Sequence, residues 1–126
     1  MPRGESLYHA HPNYRVDLEE NPEHLRASCR GVVVAESRKT LLVRETHHDP
    51  VLYFPVEDVR FDLMEKTDHE TFCPFKGEAS YWSIHTDEGS AQDVVWGYED
   101  PFPEVAGLAR YVAFYPDRVE IHRVPE

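Results

Sequence analysis

Residues 71–82 read TFCPFKGEASYW. A cysteine, a proline and an aromatic lead into a Lys-Gly pair, and a strand-like alternation begins at once. Gly77 permits a positive φ or a close backbone approach. The run is therefore read as a tight turn over residues 74–77 feeding a strand over residues 78–85. On a period of two, Glu78, Ser80, Trp82 and Ile84 share one face of that strand, and Ala79, Tyr81, Ser83 and His85 share the other.

The same grammar extends in both directions. Upstream, residues 25–36 contain the β-branched run Val32-Val33-Val34 and are read as one strand. Residues 40–45 follow after a short link, which predicts a hairpin. His47-His48-Asp49-Pro50 is a turn, and residues 51–54 are a third strand stopped by Pro55. Glu57-Asp58 starts a helical turn, and residues 59–63 alternate apolar and polar as a half-buried strand does. Downstream, residues 86–90 form a hairpin loop and residues 94–98 return as a strand. Residues 105–110, behind Pro103 and Glu104, are the best short helix candidate. Residues 111–115 and 118–124 flank Pro116-Asp117 and predict a terminal hairpin. With no βαβ rhythm, the expected fold is mostly β: compact antiparallel sheets packed tent-like or sandwich-like, with one or two short helical turns. The expected organisation is an extended polar N-terminal segment over residues 1–25, its first dozen residues loosely held, and a single β domain over 26–126.

The totals agree with one such domain. The chain has 126 residues, 40% of them hydrophobic and 12% aromatic, with ten prolines and six glycines. That length buries roughly two-thirds of the unfolded chain's surface in one core. The formal charge is −11, from 24 acidic and 13 basic residues. A field of that sign repels phosphate backbones, so bulk nucleic-acid binding is not expected. No apolar run approaches the roughly 20 residues of a membrane span. Cys29 and Cys73 are too few for a disulfide framework. Without a signal-like apolar core at the N-terminus, the expectation is a cytoplasmic protein with reduced thiols, as monomer or homodimer.

Five runs then occur in order: VVAESRKTLLVRET (33–46), YFPVEDVRFDL (53–63), TFCPFKGEASYWSI (71–84), WGYEDPFPEVAGLARYVAFY (96–115) and RVEI (118–121). On these the chain resembles the family called domain of unknown function 427, which also carries a nucleotidyltransferase-like label. The resemblance implies a compact, mostly-β, tent-like fold of antiparallel sheets pinned at one end, with a cleft between them. It implies no established activity.

Chemistry-bearing residues gather around the opening stretch. Lys76 has two readings: an ammonium pointing into a cleft and gripping a carboxylate or phosphate, or a structural partner of Glu45, Glu57, Asp58 or Glu78. It is not a phosphate-binding loop, because the glycine-rich run and the following Ser/Thr are missing. Cys73 is either a thiol activated by a nearby cation or a small packed hydrophobe. Glu45 is a candidate base, or an ion-pair partner of Arg60 or Lys76. Asp58 and Asp62 lie four apart on what reads as strand, so both would face one side. Tyr53, Tyr81, Trp96 and Tyr98 combine apolar bodies with polar tips and suit either a core or a cleft wall.

These residues define three functional expectations. The leading one is a small-molecule-binding cleft with a polar or anionic ligand held by Lys76, involving Gly77, Tyr53, Asp58, Tyr81, Trp96 and Tyr98. The second is an enzyme using the same cleft, with Cys73, Lys76 and Glu45 as catalytic candidates. The third is a peptide- or partner-binding module, the N-terminal segment itself being a lid or occupant. No cofactor is expected. No metal site is expected either: there is no CxxC knuckle, and His69 with Cys73 is a lone pair.

Overall fold

The computed structural model describes residues 6–125 of the chain. Ten strands follow in order: β1 Val16–Asn21, β2 Leu25–Cys29, β3 Val32–Ser37, β4 Thr40–Glu45, β5 Val51–Pro55, β6 Met64–Cys73, β7 Gly77–Thr86, β8 Gly89–Gly97, β9 Tyr111–Phe114 and β10 Glu120–Arg123. Short 3-10 turns at Tyr8–Ala10, Val56–Asp58, Phe61–Leu63 and Pro103–Leu108 are the helical structure among the described residues. The strands form a seven-stranded sheet, ordered β1-β4-β5-β9-β8-β7-β6, and a three-stranded sheet, ordered β10-β2-β3. Every paired strand runs antiparallel to its neighbours. The expected mostly-β, antiparallel architecture is the one present.

Two cores sit on opposite faces of the large sheet. Alternation along a strand sends neighbours to opposite sides, and β5 and β9 use both. Phe54, Val112 and Phe114 join Ile84 and Val95 against Leu25, Ala27 and Val34 of the small sheet. Tyr53 and Ala113 face the other way, with Leu41, Val43, Ala79, Tyr81 and Tyr98. Val105 and Leu108 of the Pro103–Leu108 segment cover part of this second core.

Several sequence expectations are corrected at the joints. Residues 25–36 are two strands: Arg30 (φ 51°) and Gly31 (φ 81°) reverse the chain between Cys29 and Val32. Two consecutive positive φ angles are what a type I′ hairpin turn requires. β3 and β4 do not pair as a hairpin but enter different sheets. At that corner the Ser37 hydroxyl donates to Asp58 at 2.7 Å and accepts from the Lys39 N–H at 2.9 Å. Residues 59–63 are not a strand. Val59 makes an isolated bridge to Ala35, Phe61–Leu63 is a 3-10 turn, and Asp62 pairs with Arg60 at 2.7 Å. The shared face expected for Asp58 and Asp62 is therefore absent. The helix expected at 105–110 is the 3-10 segment Pro103–Leu108, interrupted where Val105 takes φ −129°. The terminal hairpin is also replaced: β9 lies inside the large sheet while β10 pairs with β2.

The ends of the large sheet are its edge strands. β1 carries Asp17, Glu19 and Glu20 and pairs only with β4. The domain boundary drawn at residue 26 thus falls inside β2, downstream of a strand already hydrogen-bonded into the sheet. β6 carries Glu65, Asp68 and Glu70, pairs only with β7, and slips register between Lys66 and Glu70. Among the described residues, no helix is long and apolar enough to cross a membrane.

Candidate functional site

The turn after β6 builds the site. Lys76 N–H donates to the Cys73 carbonyl at 3.3 Å, and the Lys76 carbonyl accepts from Phe102 N–H at 3.1 Å. Gly77 follows at φ 117°, a conformation that side chains rarely adopt. The turn is thereby pinned against the 100–102 loop and directs Lys76 inward, over the second core. Its ammonium pairs with a carboxylate oxygen of Glu45, the last residue of β4, and lies 5.8 Å from the Tyr98 ring centre. Only 11% of the Lys76 side chain and 9% of the Glu45 side chain are exposed. The other Glu45 oxygen accepts the Tyr14 hydroxyl. Both oxygens of one buried carboxylate are thus occupied, by donors from two distant parts of the chain.

This polar cluster closes one end of a cleft of about 600 Å³. Its walls are Val43, Val51, Tyr53, Trp96, Tyr98 and Phe72, with Cys73, Pro74 and Phe75 from the turn and His48 and Asp49 at the rim. Trp96 Nε1 donates to the Tyr53 hydroxyl at 3.3 Å, which orients two of the walls against each other. Burial pushes the Tyr53 and Tyr98 phenols up, so both are neutral donors at physiological pH. Burial also pushes the Glu45 carboxyl up, but Lys76 and Tyr14 outweigh it and hold the group below the usual carboxylate range. The polar end is therefore a preformed carboxylate–ammonium–phenol triad in a hollow walled mainly by aromatic and aliphatic side chains.

The structure gathers six of the sequence-predicted residues here: Glu45, Tyr53, Cys73, Lys76, Trp96 and Tyr98. Gly77 shapes the turn without lining the cleft. Tyr81 belongs to the same core but meets Thr71 at 3.0 Å through its hydroxyl and His69 through its ring. Asp58 is engaged with Ser37 at the corner between the sheets. Of the partners considered for Lys76, the one found is Glu45. Among the described residues, no group of three or more His, Cys, Asp or Glu is placed to hold a metal ion.

The sequence model of the family described as a domain of unknown function, DUF427, matches residues 17–125. The chain belongs to the DUF427 family. A comparison with curated proteins gives no match. The DUF427 span supplies every cleft residue named above except Tyr14, which lies upstream of it. Sequence reasoning also missed Phe72, Phe75, His48 and Asp49. The signal for Phe75 was present in its place at the tip of the 74–77 turn; nothing local ties Tyr14 to a residue 31 positions away.

Proposed function

We propose that this DUF427 domain binds a small molecule in the cleft, with a polar or anionic group of the ligand set against Lys76 and an apolar body against Tyr53, Trp96 and Tyr98. The supporting observation is a carboxylate–ammonium pair nearly removed from water at the end of an aromatic-walled hollow of about 600 Å³. Small-ligand sites combine predominantly apolar walls with a few converging polar groups. A lysine ammonium has three donors; one goes to Glu45, which leaves donors for a ligand oxygen. Because Glu45 already balances the charge, a carbonyl or hydroxyl acceptor is met without the cost of an unpaired buried ion. The reading takes the protein as cytoplasmic, with Cys29 and Cys73 as free thiols.

A thermal-shift screen of polar metabolites tests this on wild type and on Lys76→Met/Glu45→Gln, which removes both charges while keeping volume. The expected result is at least one compound that raises the wild-type Tm and leaves the variant unmoved. No stabilising compound, or equal responses, would sink the reading. An enzyme using the same cleft is the second reading, favoured by Glu45 and Cys73 lining one hollow. Glu45 would act as base or Cys73 as nucleophile, with Lys76 stabilising developing charge. Mass spectrometry of each stabilising compound after incubation separates the two, since turnover changes the compound and binding alone does not.

A further inference from the structure

Residues 7–14 form a strap over the polar end of the cleft. Leu7 N–H donates to the Pro74 carbonyl at 3.0 Å, and the Tyr8 hydroxyl donates to the Phe75 carbonyl at 2.5 Å. Three rings surround Phe75: Tyr8 edge-on at 5.2 Å, His11 edge-on at 5.9 Å, and Tyr14 stacked at 3.6 Å with planes 12° apart. The strap meets the body at Arg15, whose carbonyl accepts Thr46 N–H at 3.0 Å. It touches the turn at 74–75 and the Glu45 carboxylate without entering either core, and it lies outside the span that defines the family.

Tyr14 is therefore bound as a ligand would be. Its ring lies flat on an aromatic face, and its hydroxyl donates to a carboxylate whose charge a buried ammonium balances. Remove Tyr14 and the body still presents the Phe75 face, the Glu45 oxygen and the Lys76 donors, arranged for a flat ring bearing one hydroxyl. We propose that this end of the cleft is a subsite for a phenolic compound, and that Tyr14 fills it as an intramolecular stand-in that an incoming ligand displaces. The inference rests on reading the cleft as a ligand site and adds the ligand's chemical class. A tethered occupant competes at an effective concentration in the millimolar range. The strap therefore excludes weak binders and gives way to tight ones.

Cys73 reports on the subsite, because it lines the cleft while Cys29 is buried in the other core. Iodoacetamide alkylation of Cys73 is followed in the full-length chain by mass spectrometry, with circular dichroism confirming that each variant is folded. Tyr14→Gly is expected to raise the rate about tenfold by shifting the strap toward open. Millimolar p-cresol, the Tyr side chain as a free molecule, should then return the rate toward wild type. Toluene, which lacks the hydroxyl, should protect less. Tyr14→Phe keeps the stack and loses the donor, and its rate should fall between the two. A wild-type rate in Tyr14→Gly, or equal rates with p-cresol, with toluene and with neither, overturns the proposal. Protection by p-cresol alongside a failed metabolite screen would leave the subsite standing and remove the Lys76-centred reading. A successful screen with no p-cresol protection would do the reverse.

Discussion

Glu45 ends β4 at the point where the chain leaves the sheet, and two donors converge on it. Breaking a buried ion pair by removing one partner costs roughly 3–5 kcal/mol, because the survivor is left charged and unpaired. Glu45→Gln should therefore destabilise the protein by about 3 kcal/mol at pH 7, the low end because each group keeps some exposure. The folded carboxyl titrates below its ordinary value of 4.5, so its contribution is complete above that value and is lost as pH falls through the lower, folded value. The gap between wild type and Glu45→Gln in urea unfolding should thus narrow between pH 7 and pH 3; a constant gap would show that the pair contributes nothing through ionisation. Lys76 was legible in the sequence because Gly77 beside it marks a turn, and Glu45 was legible as one of several possible partners. The choice among those partners was not, because it depends on the end of β4 facing the start of β7, four positions away in a sheet whose order no local pattern encodes.

The turn joining β6 to β7 holds the lysine in place, and Gly77 is its fixed point. A Cβ there would lie 3.4 Å from the Asp100 carbonyl, and φ 117° would strain any L-residue. Gly77→Ala should cost about 1–3 kcal/mol. It should also loosen the Lys76–Glu45 pair, seen as a smaller difference between Gly77→Ala and Gly77→Ala/Glu45→Gln than between wild type and Glu45→Gln; additive losses would show that turn and pair are independent. Strands with apolar alternation, such as β7, were readable from the sequence. β6 was not, because MEKTDHETFC is an edge strand with most of its residues exposed and has no apolar face to repeat. The β3–β4 corner was misread because a two-residue link between strands looks the same whether the chain folds back or crosses to a second sheet.

For the whole molecule, the fold class followed from composition and turn chemistry, while the two-sheet layering did not. Placing β9 between β5 and β8, and β10 beside β2, requires long-range contacts that a hairpin reading of residues 111–124 cannot supply. A charge of −11 on 126 residues also makes a molecular-scale prediction. Self-repulsion of like charges is relieved by salt, so Tm should rise as sodium chloride increases from about 50 to 500 mM and the Debye length shrinks from about 14 Å to about 4 Å. A Tm that falls with salt would mean that the surface ion pairs outweigh the net repulsion.

Both outer strands of the seven-stranded sheet expose backbone that could template another chain. Asp17, Glu19 and Glu20 line one border and Glu65, Asp68 and Glu70 the other. Charged side chains on an edge strand disfavour pairing with another chain, and at the β6 border the register slip also breaks the template. Part of the acidity that looks like mere solubility in the composition thus lies on the two strands whose backbone is open to pairing, where charge disfavours edge-to-edge growth.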